Sequence, residues 1–129
     1  MTISMYQASV PTFVHTLEAL SKILDKGEAF CTAKKVDPTV IVNARLAPDM
    51  FALARQVQIA CDFAKGASAR LAGVDVPAYE DSEKTIADLK ARIKKTVDFI
   101  NKNIEVPGER LTAEKIFVPG FLPEKPILP

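Results

Sequence analysis

The chain has 129 residues, of which 48% are hydrophobic and 26% charged, a composition typical of one globular domain. Its 17 basic and 16 acidic residues leave a formal net charge of +1. The strong positive field that non-specific binding to nucleic acid or to an anionic membrane usually requires is therefore missing, and we expect neither partner.

The N-terminal segment, residues 1–13, has neither the basic region nor the apolar run and small-residue cleavage site of a secretory signal. Charged residues also interrupt every apolar run before it reaches the roughly 20 residues that a membrane-spanning helix needs. These features predict a soluble, cytoplasmic protein.

Apolar residues recur every three or four positions from Val10 to Cys31, which predicts a long first helix near residues 5–35. Pro11 and Gly27 are the two positions at which this helix could bend. Asp37 and Pro38 follow, in the order of an N-cap and a proline at the first helical position. They predict a short helix over residues 39–44.

Pro48 and Asp49 are typical of a helix start, and a second long helix is predicted near residues 48–73. Beside its main apolar stripe it carries a second strip, formed by Ala52, Ile59 and Phe63. Such a helix requires apolar neighbours on two sides.

A third helix is predicted near residues 82–103, with Asp81 and Ser82 supplying its cap. Its charged residues, among them Arg92, are interpreted as a solvated face. Its apolar stripe is the most regular in the chain and consists of Ile86, Leu89, Ile93, Val97 and Ile100.

Five prolines fall between residues 106 and 129, where they argue against another long helix. The pattern predicts two parts: a helical-bundle domain over residues 1–104 and a proline-rich tail over residues 105–129. The tail is predicted either to dock on the bundle through its apolar residues or to be partly disordered, with at most a short helix over residues 111–117.

No catalytic motif stands out, so the sequence leaves open whether the protein is an enzyme. His15 is the only histidine, and Glu18 lies one turn further along the same predicted helix. A catalytic zinc site generally needs three protein ligands, so we predict no metal and no cofactor. Cys31 and Cys61 belong to no C-x-x-C pair and are expected to be buried, unpaired thiols.

Three residues are candidates for contact with a ligand: His15, Asp49 and Gln56. Gln56 falls on the second apolar strip, where a buried amide either bonds another helix or anchors a ligand between helices. Asp49 is either a helix cap or a site residue. Arg45, in the preceding bend, could pair with Asp49 or with an anionic ligand.

Four segments, SMYQASVPTF, LSKILDK, ARLAPDMFALARQVQIACDFAKG and ARLAGVDVP, together resemble the bacterial and fungal domain-of-unknown-function family nineteen-ninety-three. The resemblance covers about residues 3–100 and implies a DinB-like bundle with up-down-down-up helices. Metal-binding relatives hold a divalent ion with three histidines, none of which this chain keeps, so their metal-dependent thiol transfer does not carry over. The chain also departs from the family's pattern at its C-terminus, where the resemblance implies a fourth substantial helix.

The overall prediction is an all-α, DinB-like bundle with three principal helices and an incomplete or absent fourth. Two functions follow as hypotheses. The protein either binds a small molecule between its helices, or it is a non-catalytic interaction module. In the second case a homodimer would complete the bundle by covering the strip that contains Phe63.

Overall fold

The structure is a computed structural model and describes residues 5–103. This part of the chain is all-α, without strands, which confirms the predicted fold class. Predictions for the proline-rich tail lie outside the described residues. Residues 5–103 form four helices: α1 (Met5–Lys34), α2 (Pro38–Val42), α3 (Leu53–Ala72) and α4 (Ile86–Asn103).

The first two helices follow the sequence pattern closely. α1 is 30 residues long and continuous, with Pro11 inside it. It ends where Lys35 takes a left-handed conformation, at a φ of 55°, and the Val36 amide donates to the Cys31 carbonyl at 2.9 Å. The Asp37 carboxylate then caps α2 by accepting from the Thr39 amide at 2.9 Å, as predicted.

The third helix starts later than predicted. Pro48 and Asp49 lie in a turn, closed by a hydrogen bond from the Met50 amide to the Ala47 carbonyl at 3.0 Å. The helix begins only at Leu53, whose amide donates to the Ala44 carbonyl. Asp49 is therefore not the N-terminal carboxylate of α3, because the turn occupies the residues that would have formed its first helical turn.

The start of the fourth helix also differs from the prediction. Thr85 caps α4, not Asp81 or Ser82: its hydroxyl accepts from the Asp88 amide at 3.1 Å, and the Asp88 carboxylate accepts from the Thr85 amide at 3.1 Å. This reciprocal pair is a capping box. Asp81 instead forms ion pairs with arginines of two helices, which join the segment before Thr85 to α3 and α4.

The core lies between α1, α3 and α4. α1 contributes residues seven positions apart, Val10, Leu17 and Leu24, and the predicted stripe of α4 is buried except for a half-buried Val97. Cys31 and Cys61 are both buried and unpaired, as predicted.

Side-chain contacts fix the direction of the helices. The segment joining α3 to α4, residues 73–85, runs back along α3: Tyr79 lies over Lys65, and Asp81 pairs with Arg55. α4 can therefore run parallel to α3, while an ion pair between Lys90 and Asp25 joins it to α1. We call residues 73–85 the return segment; it allows two consecutive helices to be parallel neighbours.

No helix within residues 5–103 combines the length and the apolar character needed to cross a membrane.

Replacing Thr85 by Ala removes one half of the capping box, and we expect the free energy of unfolding to fall by about 1 kcal/mol. Urea denaturation followed by circular dichroism measures this change. Ser82→Ala is the matched control, since Ser82 was the cap expected from sequence and is exposed in the structure. Equal losses in the two variants would contradict the assignment of the cap.

Candidate functional site

The connection between α2 and α3, residues 43–52, is a bend held by hydrogen bonds, and we call it the elbow. The Asn43 side chain donates to the Thr39 carbonyl at 2.9 Å, which closes the end of α2. Further along, the Arg45 guanidinium donates to the Met50 carbonyl at 2.8 Å across the turn. Together with the bond between Leu53 and Ala44, these contacts hold the elbow in one shape.

An open cavity of about 460 Å³ lies at this elbow. Its wall is mostly apolar, and Arg45 alone is charged among the lining residues that the structure describes. The apolar rim is unusually open to water: Leu46 is 94% exposed and Phe51 58% exposed. The lining residues are Ile41, Ala44, Arg45, Leu46, Met50, Phe51, Leu53 and Gln56.

Of the three candidate residues, only Gln56 lines this cavity. It is exposed and lies in the first turn of α3, where its amide nitrogen donates to the Phe51 carbonyl at 3.4 Å. That bond goes to the elbow and not to another helix. His15 is exposed on α1, and Asp49 is exposed in the turn of the elbow. The structure does not bring the three together around one cavity, and their roles in binding stay predictions.

A second site is a polar cluster centred on Arg92, which was not predicted from the sequence. Arg92 is 3% exposed, so the prediction that it belongs to a solvated face is wrong. Its guanidinium pairs with Asp62 of α3 at 2.8 Å, and with Asp81 and Glu83 of the return segment, each at 3.0 Å. It also donates to the Glu80 carbonyl at 3.1 Å. We call these groups the Arg92 cluster.

The Tyr79 ring extends the Arg92 cluster. Lys65 and Lys95 place their ammonium groups 4.0 and 4.2 Å from the ring centre, and the Arg92 guanidinium carbon lies 5.6 Å from it. Cations in these positions are attracted by the negative face of an aromatic ring. Tyr79 therefore joins the return segment to both α3 and α4.

Charge pairing changes the acidity of the cluster. Burial by itself would raise the pKa of the Asp62 carboxyl, but hydrogen bonds and charges from Lys65 and Arg92 outweigh it and lower the pKa below the ordinary value of 3.8. A carboxyl with a lowered folded pKa stabilises the fold above its unfolded pKa. That contribution is lost as the pH falls through the folded pKa.

One signal in the sequence could have revealed this cluster. Arg55, Gln58, Asp62 and Lys65 recur at spacings of three and four along α3, which places them on one side of the helix. This side of α3 is polar, but its side chains contact other parts of the protein and not only solvent. Gln58 donates to Glu83 at 2.9 Å, and the other three side chains form ion pairs or lie against the Tyr79 ring. A polar stripe on a helix otherwise bounded by apolar residues can face a polar connection as well as solvent.

The described residues offer little for metal or thiol chemistry. Within residues 5–103, no three histidine, cysteine or acidic side chains converge as a metal site would require. Burial is the largest effect on the Cys61 thiol and raises its pKa, so this thiol stays protonated near neutral pH. The raised pKa of Cys61 agrees with the buried, structural cysteine that the sequence predicts.

Three long helices with a parallel α3–α4 pair define an all-α bundle of the up-down-down kind. The chain belongs to the family of the domain of unknown function DUF1993, whose match extends over residues 5–117. The match confirms the predicted family and reaches further toward the C-terminus than the resemblance found in the sequence. No curated protein matches the chain.

A solved structure supports the same relationship. A DinB family member from Shewanella denitrificans is 46% identical in sequence and superposes with a TM-score of 0.73. The match covers 76% of this chain and 56% of that one, so this chain spans little more than half the length of that relative. The DinB-like fold predicted from sequence is thus confirmed.

Replacing Arg92 by Met removes the charge at the centre of the cluster and keeps much of the side-chain volume. Removing one partner of a fully buried ion pair costs about 3–5 kcal/mol. We expect roughly 2–3 kcal/mol here, because Asp62 and Asp81 remain about two-fifths exposed and can be solvated.

Urea denaturation at several pH values measures this loss. Lys94→Met, an exposed cation on the same helix, is the control and should leave stability nearly unchanged. Wild-type stability should also fall as the pH drops through the lowered pKa of Asp62, and Arg92→Met should show less of that fall. Equal stabilities for the two variants would contradict a stabilising role for the cluster.

Proposed function

We propose that the protein binds a small, largely apolar molecule in the cavity at the α2–α3 elbow. The observation that carries the proposal is the cavity itself. Hydrogen bonds hold the elbow around it in shape, and the Leu46 and Phe51 side chains are exposed at its edge. Its size of about 460 Å³ falls within the roughly 300–1,000 Å³ of typical ligand sites.

The chemistry of the wall favours binding over catalysis. Apolar side chains supply contact area, whose removal from water drives association. Polar groups are few, as in most small-molecule sites. Gln56 gives its amide N–H to the Phe51 carbonyl, and its own carbonyl oxygen is an acceptor for a ligand. The described residues that line the cavity include no histidine, cysteine or carboxylate, so this part of the wall offers no obvious nucleophile or general base.

The neutral fluorescent probe N-phenyl-1-naphthylamine tests this proposal. We expect its emission to rise on binding to the wild type, and at 100 times its dissociation constant it should stabilise the protein by about 2.7 kcal/mol. Ala44→Phe places a ring in the cavity and should abolish both effects.

The matched control is Ala29→Phe, the same substitution at an exposed position of α1 outside the cavity lining. It should bind the probe as the wild type does. Circular dichroism verifies that both variants are folded. Equal probe binding by both variants would place the probe elsewhere and contradict the proposal.

A second function, homodimeric assembly through α3, is proposed on a different observation. Phe63, on the second apolar strip of α3, is 75% exposed, and Ile59 next to it is only half-buried. α1 also exposes two large apolar side chains seven positions apart, Ile23 and Phe30. A two-fold dimer is the commonest way for identical chains to cover such surfaces.

Light scattering across a dilution series tests the dimer. We expect the wild type to dissociate on dilution and Phe63→Asp to be monomeric at every concentration, because the new charge would be buried without a partner. Leu46→Asp makes a similar change on the elbow and should leave the dimer intact. A folded wild type that is monomeric throughout the series would contradict this second function.

A further inference from the structure

We infer that the ligand of the elbow cavity is a monoanion with an apolar body, of the class of medium-chain or aromatic carboxylates. The inference rests on the proposed function of the cavity and adds the chemical class of the ligand. It is carried by the combination of an apolar wall and Arg45, the one cation among the described residues that line the cavity.

Arg45 is held in place by a neutral group of the protein. Its Nη1 donates to the Met50 carbonyl at 2.8 Å, which fixes the side chain across the turn. A guanidinium has five N–H donors, and this bond occupies one of them. Among residues 5–103, no carboxylate forms an ion pair with Arg45.

This arrangement separates two alternatives that the sequence left open. Arg45 could have paired with Asp49, four residues along the chain, or with an anionic ligand. The structure pairs Arg45 with a neutral carbonyl and places it in the cavity wall, whereas Asp49 is not part of that wall. A planar guanidinium with donors in a fork suits a carboxylate well, since two parallel hydrogen bonds can form.

The surroundings of Arg45 add to the positive potential. The cavity lies at the N-terminal end of α3, which is the positive end of a 20-residue helix. Ala52 at the N-cap provides no side-chain hydrogen bond, and the first turn contains no acidic residue. The apolar part of the ligand would lie against Ile41, Met50 and Phe51.

A matched pair of ligands tests the inference. Decanoate and decanol have the same chain length and differ in charge, and each is titrated against the protein carrying bound N-phenyl-1-naphthylamine. We expect decanoate to displace this probe at about tenfold lower concentration than decanol, the gain typical of a charge-assisted hydrogen bond at an accessible site. Higher ionic strength should reduce the difference.

Two variants identify the responsible cation. Arg45→Gln also removes the hydrogen bond to the Met50 carbonyl, so the affinity of this variant for the neutral probe is measured first. Within this variant, decanoate and decanol should then displace the probe at the same concentration. Arg70→Gln, which removes an exposed arginine at the far end of α3, should keep the wild-type preference.

The outcomes distinguish the two proposals. If the neutral probe binds but decanoate and decanol displace it equally, or if Arg45→Gln keeps the preference, the carboxylate inference is wrong and the cavity function stands. If neither the probe nor decanoate binds to the wild type, the cavity function itself is wrong.

Discussion

The buried guanidinium of Arg92 allows two consecutive helices of this bundle to lie parallel. Parallel neighbours require the chain to travel back the length of a helix between them, and the return segment that does so exposes Val74 and Val76 to water. With so little apolar burial, its position depends on charge. Arg92 binds the segment through Asp81 and Glu83 and binds α3 through Asp62, so one side chain fixes both the segment and the helix pair. Burial of the guanidinium strengthens its attraction to the carboxylates and makes the loss of either side of the pairing costly, because the remaining charge would be left without a partner.

The helices themselves could be predicted from sequence because their signals are local. Apolar periodicity placed α1 and the core stripe of α4, and Asp37 with Pro38 marked α2 correctly. Helix starts were less predictable where several residues can cap. Asp81, Ser82 and Thr85 all have side chains that can accept from a backbone amide. The ion pairs with Arg55 and Arg92 occupy Asp81, and the hydrogen bond from the Asp88 amide identifies Thr85 as the cap.

The sites were less predictable because they depend on contacts between distant segments. Gln56 was identified for its polar character on an apolar strip, and it does line the cavity, but the cavity also needs the turn that delays α3 to Leu53. Arg92 could not be told from its exposed neighbours Lys94 and Lys95 by spacing alone. Its partners lie between 9 and 30 residues away in the chain, and their positions follow from the path of the return segment.

The return segment is held in a different way from the helices it joins. Between residues 75 and 84, each hydrogen bond to α3 or α4 involves at least one side chain, and the backbone–backbone hydrogen bonds resume only at the start of α4. A segment attached in this way can detach without unwinding a helix, because the ladder of each helix is complete without it. Its amide hydrogens should therefore exchange with solvent faster than those of the adjoining helices. Within residues 5–103, limited proteolysis should likewise begin in this segment, leaving the helices on either side intact.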